Sequence, residues 1–236
     1  MNNRSNIIWL VKFELRHSVY HLLLLIPLVF IFLFVIHSLV PAYLEVATMG
    51  LDFFLFFTVL TMSQITRPKD FQIQKINGKY YAAPFLILLN QLSIPRNVIV
   101  KYRFLSYVII YTIFFILLFL GLYPAFNNEL TIPSYFVFTI IWYCIGIYLG
   151  CATPRYEAIS NMGRNIVIAL VSAPFVFFGY IFLFYKWFNL GLIGWTIYIA
   201  SEYKIISVFI SLLFTWIGWI YWQKRMKQKM SQADYY

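Results

Sequence analysis

An all-α integral membrane protein is the fold class this sequence predicts, and three observations carry the prediction. Hydrophobic residues make up 62% of the 236 residues, charged residues only 11%, and mean hydropathy is +0.78. A water-soluble domain carries roughly a quarter charged residues, and a surface this apolar would aggregate outside lipid. Apolar segments of about 20 residues, the length that crosses a bilayer core, recur along the chain. Lysines and arginines gather between alternate segments, as the positive-inside rule requires of cytoplasmic loops. The prediction is one transmembrane domain over residues 1–236, multi-pass in the cell membrane, with no soluble domain on either side.

The elements follow in chain order. Residues 1–20 set Arg4, Lys12, Glu14, Arg16 and His17 among Ile7, Ile8, Leu10, Val11, Leu15 and Val19 at helical spacing. That pattern predicts an amphipathic helix lying in the membrane interface. The stretch lacks the small-residue cleavage site of a leader. Six spans are predicted at 22–40, 46–65, 104–123, 135–151, 166–185 and 205–222. Pro27 and Pro174 are tolerable within spans, and Asp52 weakens the second. Residues 187–203, WFNLGLIGWTIYIASEY, are apolar but hold Asn189, Gly191, Gly194 and Glu202 between Lys186 and Lys204.

Charge decides the place of that last segment. With six spans and both termini cytoplasmic, the inner side holds three basic residues at the N-terminus, seven in 66–103, two in 154–164 and four in the tail. That is 16 of 18. A further crossing at 187–203 would put the tail QKRMKQK outside, so the segment is predicted as an outer re-entrant hairpin, bent at Gly191 and Gly194. The net charge of +10 then spreads over the cytoplasmic face, where it orients the chain and meets membrane lipids. No nucleic-acid partner is expected.

Residues able to carry chemistry are few. No GxxxxGK[ST], HExxH or GxSxG occurs, so the chain is predicted not to be an enzyme and to hold no cofactor or metal. Glu14, His17 and His21 share one helix face, a spacing that can serve a metal, but with no further ligand well placed they read as residues of an interfacial helix. Cys144 and Cys151 would lie ~10 Å apart on a helix, too far for a disulfide, and read as packing residues. Asp52, with Glu45 and His37 near its level, marks either a polar patch at the outer mouth of a pathway or a carboxylate wetted at the headgroups. Arg155, Glu157 and Arg164 are placed to pair at the inner ends of spans 4 and 5. Many aromatic residues sit near span ends (Tyr20, Tyr43, Tyr102, Tyr123, Tyr135, Tyr185, Trp187, Trp219, Trp222) and read as an interfacial belt.

Residues 82–92, AAPFLILLNQL, form an apolar stretch too short to cross a bilayer, set in the most basic neighbourhood of the chain. Pro84 suits the first helical position and Pro95 stops the run. No charge occurs from Tyr80 to Pro95. Such a helix must bury its apolar face, and a charge-free face suits a groove on a partner protein better than lipid headgroups.

The layout at this point resembles the ATP-binding cassette (ABC) type-2 permeases. The elements that carry the resemblance are NNRSNIIWLVKFELRHS as a connecting helix, the six spans, APFLILLNQ as a coupling helix between spans 2 and 3, and WFNLGLIGWTIYIASEY as an outer re-entrant hairpin. LSIPRNVIVKYRF is similar to the turn the family carries before span 3, with Ser93 and Pro95 exchanged, while QIQKINGK replaces the family's acidic and Gly-Thr residues. The resemblance implies a permease subunit of an ATP-driven exporter for amphipathic peptide or lipid-like cargo. ATP and Mg would belong to nucleotide-binding ATPase subunits, and a second permease copy or homologue would complete the pathway. It implies coupling residues at Ala83, Pro84, Phe85, Leu86, Leu89 and Asn90, and connecting-helix residues at Phe13, Glu14 and Arg16. An ATPase-independent secondary transporter or channel is the alternative.

Overall fold

The computed structural model describes residues 3–46, 49–65, 67–77, 80–92, 94–158 and 160–232. The chain is mostly helical, 86%. In order the helices are α1 (Asn3–His17), α2 (Val19–Glu45), α3 (Met49–Ile65), α4 (Pro84–Gln91), α5 (Arg96–Phe126), α6 (Ile132–Gly150), α7 (Thr153–Ala158), α8 (Met162–Tyr180), α9 (Leu192–Glu202) and α10 (Lys204–Gln232). A 3₁₀ turn covers Lys69–Phe71, and α8 continues as a π-helical stretch over Ile181–Trp187.

Among the described residues, four helices are long and apolar enough to cross a membrane: Val19–Glu45, Arg96–Phe126, Ile132–Ala158 and Lys204–Ser231. Pro174–Trp187 and Leu192–Glu202, bent by 53°, make a fifth if the pair is one span. The sequence predicts six. Helix α3 lies within the predicted 46–65 and, among the described residues, is apolar over Met49–Thr61. Helices α5 and α10 run beyond the predicted 104–123 and 205–222 because their polar ends still pack. Val98, Ile99 and Tyr102 are buried at the start of α5, and Met226 and Met230 near the end of α10.

A small sheet accompanies the helices. Strands β1 (Gln74–Asn77), β2 (Tyr80–Ala82) and β3 (Ser160–Asn161) form a small antiparallel sheet in the order β1–β2–β3. Tyr80 pairs with Asn161 and Tyr81 with Ser160. Asn77-Gly78 is a hairpin signal in the sequence, though Gly78 and Lys79 lie outside the described residues, as does Ser93.

Helix α5 is the centre of the fold, packed against α1, α2, α3, α6 and α10. Thr131 caps the facing α6 by accepting from the Ser134 N–H at 3.5 Å, with Pro133 in the first turn. The two helices approach closely at Gly146, where the buried Tyr111 hydroxyl of α5 lies over the glycine, as small residues allow between membrane helices. Tyr135 of α6 donates to the Phe119 carbonyl of α5. Away from this core the helices are bare. Phe34, Leu120, Phe175 and Ile205 are 77, 71, 76 and 86% exposed, which is the surface that lipid or another subunit covers. Cys144 and Cys151 are free and buried.

A Cβ at Gly146 would overlap the Tyr111 hydroxyl and stand 2.7 Å from Val59 Cγ1. Gly146→Ala is therefore expected to cost about 1–3 kcal/mol of stability, read as a lowered melting temperature in detergent. Tyr111→Phe in the same chain should recover part of the loss. An unchanged melt in Gly146→Ala would show that the ring moves aside freely.

Candidate functional site

Two buried polar clusters organise the fold. The first joins four elements through four charges. Arg67, in the turn after α3, donates to Glu14 Oε1 through Nε at 3.0 Å and Nη2 at 2.7 Å, and to Glu157 Oε1 through Nη1 at 2.5 Å. Arg103 of α5 donates to both Glu14 oxygens through Nη1, at 2.9 and 2.8 Å, and to Glu157 Oε2 through Nε at 2.8 Å and through Nη2. Glu14 belongs to α1 and Glu157 to α7. Each arginine thus bridges both glutamates, and the ring is net neutral. All four residues are buried, and Tyr102 adds a hydroxyl to Glu14.

The local sequence explains why the ring closes. Glu14 sits on the face of α1 that carries Leu10 and Val11 inward. Arg103 lies one position before the buried Phe104, at the end of an apolar run. Each guanidinium turns its Nε/Nη2 edge to one oxygen of one glutamate and its Nη1 to the other glutamate, so the rigid fork spans both. Burial alone would raise the Glu14 carboxyl, but the adjacent Arg103 and Arg67 outweigh it and hold it at about 2.

The ring also ties in α4. The Ala83 N–H donates to the Glu157 carbonyl at 2.9 Å. Phe85 of α4 stacks on Phe13 of α1, with ring centroids 5.5 Å apart, and meets Phe71 at 4.8 Å and Tyr102 at 6.2 Å. The structure therefore brings Phe13, Glu14, Ala83 and Phe85 together at one junction. Leu86 and Leu89 are buried within the chain itself, and Pro84 and Asn90 are half-buried. The exposed side chains here are Leu88 and Gln91 of the helix and Leu92 at its C-cap. Arg16 is exposed.

The second cluster surrounds Asp52, in the first turn of α3. It is buried, not wetted. Its Oδ1 accepts from the Tyr43 hydroxyl at 2.9 Å and the Ile193 N–H at 2.9 Å. Its Oδ2 accepts from the Tyr180 hydroxyl at 2.5 Å, the Tyr185 hydroxyl at 2.7 Å and the Leu192 N–H at 2.7 Å. A carboxylate from α3 thus caps the N-terminus of α9, where orphan N–H groups and the helix dipole favour negative charge. Gly191 is required there, because a Cβ at that position would overlap both Tyr43 Oη and Asp52 Oδ2. The chain turns into α9 through Asn189 at φ 52°. The two helices, Pro174–Trp187 and α9, are bent by 53° at 188–191, inside the predicted 187–203, and from Leu192 to Glu202 that segment is the single helix α9. Gly194 falls inside α9, where its N–H donates to Tyr43 Oη at 3.1 Å. Trp142 Nε1 of α6 donates to Thr196 of α9 at 3.1 Å, fixing its other side.

Glu45 and His37 do not join Asp52. Glu45 is exposed, and His37 Nε2 is bonded to the Gly121 carbonyl at 2.9 Å. Glu14 and His17 part likewise: Glu14 enters the ring, while His17 is exposed with Nδ1 on the Phe13 carbonyl at 2.9 Å. No three potential ligands gather for a metal among the described residues. Arg155 does not pair with Glu157. Its guanidinium lies over the rings of Tyr156 and Trp222, 5.5 and 5.7 Å from their centroids, and the side chain of Arg164 lies outside the described residues. The aromatic belt also thins. Tyr43, Tyr102 and Tyr135 are buried, whereas Tyr20 and Trp187 are exposed. The three residues that complete the ring, Arg67, Arg103 and Glu157, were readable only as loop charges or local pairs.

No protein-family model, curated protein or solved structure matches the chain.

Removing one member of the ring strands the others in a buried site, so Glu14→Gln is expected to cost about 3–5 kcal/mol, measured by thermal melting in detergent. Glu14 is depressed from 4.5 to about 2 in the folded chain. Its stabilisation is therefore full above the unfolded value and is lost as pH falls from 4.5 towards 2. Glu14→Gln should abolish that part of the acid sensitivity. At the other cluster, Asp52→Ala should speed backbone hydrogen exchange across 188–202 by about ten-fold or more while sparing 96–104. Unchanged exchange at 188–202 would mean that the tyrosines hold α9 without the carboxylate.

Proposed function

We propose that the chain is the membrane-spanning permease subunit of an ATP-driven exporter of the ABC type-2 kind. The observation that carries the reading is the junction of α1 and α4. The coupling helix of such a subunit must pass a push from a soluble ATPase to helices that cross lipid. Here α4 is tied to α1 through Phe85 and Phe13, and to α7 through Ala83 and Glu157. The Glu14 ring fastens α1 and α7 to α5 and to the turn after α3. A force on α4 would reach α5 through Arg103 of the ring and α3 through the turn that holds Arg67.

In this reading α2, α3, α5, α6, α8 and α10 make six crossings with both termini cytoplasmic, and α9 is the outer return. The exposed face of α4, Leu88 and Leu92 with Gln91, meets the ATPase. Buried Leu86 and Leu89 support that face from behind. The partner ATPase holds ATP and Mg, a second copy or homologue supplies the other half of the pathway, and the cargo is an amphipathic peptide or lipid-like molecule.

The reading expects a gene for a span-free ATPase beside this one, and a stable complex of the two proteins in mild detergent. Leu88→Asp combined with Leu92→Asp should leave the melting temperature near that of the wild type and abolish co-purification of the ATPase. Retention of the ATPase by a folded double variant would refute docking through α4, and failure of the wild type to hold it would favour an ATPase-independent carrier.

A further inference from the structure

One buried charge in the fold has no counterion among the described residues. The five donors to Asp52 are three phenols and two backbone N–H groups, all neutral. Both buried arginines, Arg67 and Arg103, are committed to Glu14 and Glu157. The N-terminus of α9 offers roughly half a positive charge. These neutral donors and the helix end leave the carboxylate hydrogen-bonded but with no full positive charge against it among the described residues.

Beside this carboxylate lies a cavity of about 620 Å³ between α3 and α8, lined by Asp52, Phe53, Phe56, Phe57, Phe177 and Tyr180 among others. That volume falls within the roughly 300–1,000 Å³ of small-ligand sites. Phe57, Val176 and Phe177 at its rim are exposed, so the cavity opens between the helices to the apolar surroundings. Phe53 and Tyr180, with ring centroids 5.0 Å apart, stand where the cavity meets the carboxylate. Aromatic faces next to an anion are the surroundings that hold an organic ammonium.

We propose that this cavity binds a cationic amphiphile, with its ammonium head against Asp52 and the tyrosines and its apolar chain along Phe56, Phe57 and Phe177. The binding stands without the permease reading; only the identification of the ligand as cargo rests on it. A neutral or anionic lipid tail would fill the same walls but would find no counter-charge to prefer.

The test is saturable binding of labelled dodecylamine to the full chain in phosphatidylcholine nanodiscs, with empty nanodiscs as blank and unlabelled dodecanol and dodecyl sulfate as competitors. Dodecanol and dodecyl sulfate are expected to compete at least about ten-fold more weakly than unlabelled dodecylamine. Asp52→Asn should erase that preference while retaining the weaker binding of the chain. Val176→Trp, which adds bulk at the exposed rim and leaves Asp52 and its donors in place, should weaken binding, and it decides the matter should Asp52→Asn fail to melt as a folded protein. Absence of binding above the blank, equal competition by dodecanol, or unchanged binding by Val176→Trp would overturn the proposal. No ATPase is present in this assay, so its failure and the failure of ATPase co-purification are separate results.

Discussion

The ring of Glu14, Arg67, Arg103 and Glu157 is the interaction on which the rest depends. Four charges taken from water carry a desolvation penalty of several kcal/mol per ion, offset only when geometry and hydrogen bonding are both complete. Here each fork meets two carboxylates and each carboxylate meets two forks. The ring therefore tolerates only one arrangement of α1, α5, α7 and the turn after α3. Hydrophobic packing alone would not fix that arrangement, because lipid competes for the same apolar faces and gives helices no reason to leave it. Buried polar matching supplies the specificity that burial of leucine and phenylalanine cannot supply in a membrane.

The Asp52 cluster works on a different principle. It has one charge, and its partners are phenols and the first N–H groups of a helix. Such a carboxylate organises donors around itself. It orients Tyr43, Tyr180 and Tyr185 and gives α9 its starting point, while Gly191 leaves room for the approach. The same feature that makes it a good helix cap leaves a negative field facing the cavity beside α3.

Much of the architecture was legible. Hydropathy locates the long helices because bilayer thickness sets one length for all of them, and Pro84 and Pro95 bracket α4. The sequence assigns Phe13 and Glu14 to one short helix and Phe85 to another, and the structure shows that the two meet. What it could not show is pairing at a distance. Glu14 and Arg103 are 89 positions apart, and Asp52 and Tyr180 are 128 apart. Local periodicity holds no trace of such partners, so Arg103 reads as one more basic residue and Tyr43 as one more interfacial ring. Burial misleads in the same way. The apolar face of α4 reads as a surface awaiting a partner, yet Leu86 and Leu89 are already covered by the chain's own helices. The short sheet was missed because hydropathy swamped the Asn77-Gly78 signal.

Between α1 and α2 there is only Ser18, and hydrogen bonds run across it: its N–H donates to the Glu14 carbonyl at 2.9 Å, and its carbonyl accepts from the Leu22 N–H at 2.8 Å. Helices α1 and α2 therefore lead from Glu14 at one cluster to Tyr43 at the other with no loop between. Helix α3 leads back from Asp52 to the turn that holds Arg67. The chain thus forms a closed mechanical linkage, jointed at both ends by buried polar contacts. In a closed linkage no bar moves alone. A displacement at one joint must reappear at the other unless a bar bends, and the bends available along the longer bar are Ser18, Pro27 and Pro41.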